Sequence, residues 1–287
     1  MASNEWPLIF FTLLGQTAAG LIFALALLST GGKEVLKLIY SSVNRPVTLF
    51  SMMAMACAVL FSFLHLGSPT RAVYALSNLS SSWLSREILM VMVFGAVLTA
   101  RALFLQLFSN RYALQRAMLW LCVTAAAAMI YSMARLYMIE VSPSWNQAST
   151  LVLFLSGSLL LGIPLFLTLL LAGHVVYPDK HGVTGFSRLL ASVVLISFLA
   201  RIPFGLQTGM PAVDSGFPPT GTPVIAGLLY YILLSTGTVL LMIWAFARLN
   251  MDEKWLKLFV WASFFLLLLG EVAGKYIFYS GYYRIGV

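Results

Sequence analysis

The 287-residue chain is 61% apolar and only 9% charged, a balance far outside that of soluble domains and one that marks an integral membrane protein. Its formal net charge of +8 would suit nucleic acid, but the basic residues gather in alternate loops between apolar runs, so the charge is a topology signal.

A bilayer core of ~30 Å is crossed by about 20 helical residues. Apolar runs of that length predict eight spans, at roughly 8–28, 46–66, 88–108, 113–137, 151–176, 186–206, 223–247 and 256–279. They leave no room for a soluble domain, so 1–287 reads as a single transmembrane domain, an all-α bundle of eight helices. The runs are continuous rather than alternating, which excludes a β-barrel. Isolated Gly and Pro inside them do not break the helices, since neighbouring helices satisfy freed backbone groups. The flank of the first run, Met1 to Pro7, has Glu5 and no Lys or Arg, so this run is expected to stay as the first span and not to be cleaved as a signal peptide.

The segments after spans 1, 3, 5 and 7 hold Lys33, Lys37, Arg45, Arg111, Arg116, Lys180, Arg188, Arg248, Lys254 and Lys257. The positive-inside rule then places both termini outside the cytoplasm, an N-out/C-out topology. On that topology the longer segments 67–87, 138–150 and 207–222 are extracytoplasmic. The last is rich in Pro and Gly and is expected to be ordered by packing or by a partner. His65, Arg71, Arg86, Glu87, Arg135, Glu140, Arg201, Glu271 and Lys275 all fall toward the outer side, whereas Arg101 is nearer the cytoplasm. Snorkelling of long side chains accounts for part of this layer. Glu271 and Lys275 are spaced to pair on one helix face.

His65 closes span 2 and Glu87 precedes span 3, so a hairpin brings the two to similar depth. Ionisable groups at the hydrocarbon boundary are functional candidates by default. A His and a Glu could hydrogen-bond the hydroxyls of a quinol and accept its two protons. The same spacing also suits a histidine that caps its helix and a glutamate paired with Arg86 or Arg71.

Bis-histidine haem needs two histidines at one depth. His65, His174 and His181 provide no such pair, so no haem is expected, and no cysteine cluster exists for an iron–sulfur centre. Cys57 and Cys122 lie in mid-span and read as small apolar residues. A transporter is a further reading, with Arg101 and the Glu271/Lys275 pair lining a path, though the broken helices common in such proteins are not obvious.

Asn4-Glu5-Trp6-Pro7-Leu8, Phe11-Thr12, Gly15-Gln16, the run His65-Leu66-Gly67-Ser68-Pro69-Thr70-Arg71-Ala72, and Leu84-Ser85-Arg86-Glu87-Ile88 together resemble the membrane-anchor subunit of the bacterial anaerobic dimethyl sulfoxide reductase family. Val141-Ser142-Pro143-Ser144-Trp145 is similar to a further stretch of that family with a changed interior. The motifs concentrate in the first 150 residues, and the second half matches mainly in hydropathy. The resemblance implies a non-catalytic anchor in the bacterial cytoplasmic (inner) membrane that binds and oxidises menaquinol during anaerobic respiration. It implies that electrons pass to an iron–sulfur subunit and then to a molybdopterin catalytic subunit, both docked on the extracytoplasmic face. The family's quinol-site histidine and glutamate fall on His65 and Glu87, and Ser68 and Arg71 of the same run join them as candidate quinol-binding residues. The alternatives are an anchor for a reductase of another terminal acceptor, a passive structural anchor, or a transporter.

Overall fold

The computed structural model describes residues 6–31, 34–65, 74, 76–108, 111–140, 142, 145–172, 180–203, 221–247 and 252–280, with only the backbone of 34–39, 65, 172, 180–183, 221–224, 253 and 280. Among these residues the long elements are all helices and there is no strand. They are α1 Trp6–Ser29, α2 Glu34–His65, α3 Trp83–Leu107, α4 Tyr112–Tyr137, α5 Ala148–Ala172, α6 Lys180–Leu199, α7 Gly221–Ala247 and α8 Glu253–Ser280. Seven of them are long and apolar enough to cross a membrane; α6 contributes a shorter apolar stretch, Thr184–Leu199.

Two helices begin earlier than hydropathy alone suggests. α2 starts at Glu34 and runs through Pro46, although its apolar span covers Tyr40–Leu64. Just past this extension Val43, Asn44, Val47 and Thr48 are buried. α3 starts at Trp83 because Ser82 caps it, its side chain accepting from Ser85 N at 3.4 Å. Glu87 therefore lies inside the second turn of α3.

The protein folds as two sets of neighbours. α1 packs on α2, α4 and α5, and α3 packs on α2 and α4. α5 packs on α6 and α8, and α7 packs on α6 and α8. The two sets meet chiefly where α1 crosses α5. These two are the innermost helices, with 78% and 67% of their spans buried against 22% for α3.

The crossing is set by glycine. A Cβ on Gly20 would overlap Ser158 O and lie 2.9 Å from Gly162 Cα, and one on Gly162 would lie 2.5 Å from Leu21 N. Backbones approach this closely in membranes where small residues line the interface, because apolar side chains gain little there over lipid. The α7–α8 pair uses the same device: Gly270 receives Leu234 and Gly274 receives the ring of Tyr230.

Hydroxyls and rings tie the helix ends. Thr12 Oγ1 and Tyr279 OH lie 2.7 Å apart, linking the start of α1 to the end of α8. Trp145 Nε1 donates to Phe278 O at 3.0 Å, with the two rings stacked. Tyr137, Phe154 and Tyr279 complete that aromatic cluster. The starts of α1, α3 and α5 and the ends of α4 and α8 thus lie together, at the end of the bundle where α2 stops.

Candidate functional site

The buried face of α3 consists of Glu87, Val91, Phe94, Leu98 and Arg101, with Ser85 beside it. Steps of four, three, four and three keep these side chains on one stripe. The stripe carries an ionisable residue at each end, about 21 Å apart along the axis. Glu87 is 6% exposed and Arg101 is fully buried.

The Arg101 end is a closed polar clamp. Its Nη1 donates to Gln115 O at 2.7 Å, its Nε to Thr48 Oγ1 at 3.2 Å, and its Nη2 to Asn44 Oδ1 and, at 3.4 Å, to Tyr40 OH. Asn44 in turn donates to Gln115 Oε1 at 3.4 Å, and Gln115 Nε2 donates to Phe108 O at 3.0 Å. These contacts spread one guanidinium over neutral acceptors from α2 and α4. Arg101 is therefore a pin between three helices, in contrast to the path-lining role open from sequence.

The Glu87 end differs. Among the described residues no hydrogen-bond donor reaches its carboxylate. Arg86, a possible partner by sequence, points away: its Nε donates to Leu79 O at 2.9 Å and its Nη2 to Ser80 O at 2.6 Å. Its guanidinium covers the Trp83 ring at 4.4 Å, and Arg135 of α4 sits 5.0 Å from the same ring. Tyr131 meets that ring edge-on. Trp83 is one turn before Glu87, so an aromatic ring flanked by two cations stands one helical turn from the buried carboxylate.

His65 is the last residue of α2, but its side chain lies outside the described residues, as do Ser68 and Arg71. Glu87 is thus placed in detail, and its juxtaposition with the other three stays an inference from the sequence. Among the described residues no group of three or more His, Cys, Asp or Glu could hold a metal, and Cys57 and Cys122 are both free.

A second charged interior lies between α5, α7 and α8. Arg201, just past α6, pairs with Glu271 at 2.5 Å, both 2% exposed. Arg201 also donates to Ser156 Oγ at 2.6 Å, Tyr230 OH at 2.8 Å and Leu153 O at 3.1 Å. Helical spacing suggested that Glu271 pairs with Lys275. The carboxylate instead reaches across to Arg201, and Lys275 Nζ lies 3.8 Å from the centre of the Phe154 ring. Tyr230, Ser156 and Gln16 were not anticipated as members of this cluster, because single hydroxyls and amides within apolar runs carry no signal in the sequence.

Comparison with known proteins follows the same lines. The family model described as DMSO reductase anchor subunit (DmsC) matches residues 1–281. The protein is 32% identical over 303 residues to the C subunit of anaerobic dimethyl sulfoxide reductase from Escherichia coli (strain K12), an alignment spanning 99% of this sequence and 97% of that relative. It is 27% identical to the YnfH subunit of an anaerobic dimethyl sulfoxide reductase from the same organism, spanning 99% of this sequence and 97% of that relative. It is also 27% identical to the C subunit of anaerobic dimethyl sulfoxide reductase from Haemophilus influenzae, spanning 99% of this sequence and 96% of that relative.

Proposed function

The protein belongs to the DMSO reductase anchor subunit family and is a multi-pass membrane anchor of a DMSO reductase complex, and we propose that it oxidises menaquinol at Glu87 and His65. The observation that carries this reading is the burial of Glu87 at the end of the α3 stripe, beside Trp83. A carboxylate held in an apolar stripe without a described donor is suited to take a proton from a hydroxyl. One hydroxyl proton of the quinol passes to Glu87 and the other to His65, at the end of α2. Two electrons leave for the iron–sulfur subunit and then the molybdopterin catalytic subunit. Ser68 and Arg71 hold the head group from the connecting segment. The anchor itself carries neither haem nor an iron–sulfur cluster.

Glu87→Gln in the assembled complex is expected to lower quinol-dependent turnover by about 10²-fold or more, the usual contribution of a positioned proton acceptor. Reduction of substrate by an artificial electron donor, which bypasses the anchor, should stay at its original rate. Unchanged quinol turnover would remove Glu87 from the reaction.

The same proposal includes eight spans in the bacterial inner membrane, with α6 as one of the crossings and both termini extracytoplasmic. A phosphatase reporter fused at the C-terminus should be active in intact cells. A fusion active only in the cytoplasm overturns the orientation.

Both partners dock at the end of the bundle near Glu87, since electrons must tunnel from quinol to the nearest cluster. Ser77, exposed in the connection before α3, supplies a test. A photo-cross-linker on Ser77→Cys should capture the iron–sulfur subunit. The same probe on Tyr112→Cys, exposed at the opposite end, should not; capture only from Tyr112 reverses the docking face.

A further inference from the structure

The Arg201 cluster holds more charge than its internal pairing consumes. Arg201 and Glu271 form an ion pair, yet Glu271 Oε1 keeps no hydrogen-bond donor among the described residues. Lys275 is a second cation, 4% exposed, with no carboxylate of its own among the described residues. Its Nζ faces the rings of Phe154 at 3.8 Å and Phe278 at 5.9 Å. Ring faces attract an ammonium but do not satisfy its three donors, and a buried ammonium short of acceptors is costly. An unmet acceptor is close by: Gln16 spends its Nε2 on Phe154 O at 2.9 Å, while its Oε1 has no donor among the described residues. Above Gly157, a Cβ would lie 3.0 Å from that Oε1 and 3.1 Å from both Arg201 Nη2 and Glu271 Oε2, so the absence of a side chain lets these groups converge.

Lys275 lines a cavity of about 20 Å³, walled also by Arg201, Tyr230, Glu271, Gly274 and Phe278. That volume accommodates a single water, and its wall offers the two to four polar partners a buried water requires.

We propose that this cavity is a water-binding site, in which one water accepts from Lys275 Nζ and donates to the Glu271 carboxylate. A water joined to both groups lets them exchange protons. As one proton leaves Nζ for the water oxygen, another leaves the water for the carboxylate, and the total charge of the cluster stays constant. The site is separate from Glu87 and does not depend on the quinol reading.

Synchrotron hydroxyl-radical footprinting of the intact complex tests this, because radicals formed from a bound water oxidise the side chains around it. Phe154, Phe94 and Phe166 are all fully buried, and of the three only Phe154 has its ring against Lys275. Phe154 should be oxidised several-fold faster than the other two if the site is hydrated. In Lys275→Met, whose thioether side chain is of similar length and uncharged, the Phe154 rate should fall to that of Phe94. Equal rates for the three rings in the unaltered complex would show a dry cluster and overturn the proposal without recourse to the variant. Fast oxidation of Phe154 that persists in Lys275→Met would overturn it as well, by placing the water elsewhere.

Discussion

Gly162→Leu is expected to prevent the anchor from accumulating in the membrane. At the α1–α5 crossing a side chain on Gly162 runs into the backbone of Gly20 and Leu21, and backbone cannot rotate aside as a side chain can. Relief requires the two innermost helices to part toward an ordinary separation of about 8–10 Å. That would break the Gln16–Phe154 hydrogen bond and open the seam between the two halves. The cost exceeds the about 1–3 kcal/mol typical of overpacking, because no rotamer change absorbs it. Immunodetection of the membrane fraction gives the readout. Gly95→Leu is the control, since nothing lies within 4 Å of a Cβ there, and it should accumulate normally. Equal abundance of the two variants would mean that the crossing is looser than its geometry states.

Glu271→Ala should destabilise the purified anchor by about 3–5 kcal/mol, the cost of leaving one member of a buried ion pair alone. Arg201 would keep its bonds to Ser156, Tyr230 and Leu153, but no carboxylate among the described residues would remain to oppose it and Lys275. The triple variant Arg201→Met, Glu271→Leu and Lys275→Met should recover most of that loss, because it removes both buried cations along with the carboxylate that opposed them. Thermal unfolding in detergent compares the three proteins. If the triple variant is as unstable as Glu271→Ala, the loss comes from packing and not from the unpaired cations.

The helices were legible because hydrocarbon demands long apolar runs, and hydropathy finds such runs directly. Their ends were less so. Residues 34–45 carry Lys37 and Arg45 and read as loop before the second span, yet they belong to α2, where Asn44 and Thr48 bind an arginine 53 or more residues further on. The start of α3 at Trp83 depended on Ser82, a cap that hydropathy does not weigh. At the candidate site Glu87 was legible as a charge at the edge of an apolar run, and the motif around it carried the family resemblance. The partner of Glu271 was not, because the local reading, four residues along the same helix, concealed the choice of Arg201. Close glycine contacts were equally hidden: Gly20 and Gly162 resemble Gly95 in sequence and differ only in what stands opposite.

The burial of α1 on nearly every side has a consequence for biogenesis. This helix is made before α5, one of its two main neighbours. Until α5 arrives, the groove at Gly20 is unfilled and the Gln16 amide has no Phe154 carbonyl to bond. The early membrane intermediate therefore presents a polar, notched helix to lipid or to the insertion machinery. The two halves cannot mature independently, since the first contains a helix whose Gly20 face only α5 closes. A polypeptide halted after α4 would expose that unfinished surface, a recognisable signal for membrane quality control.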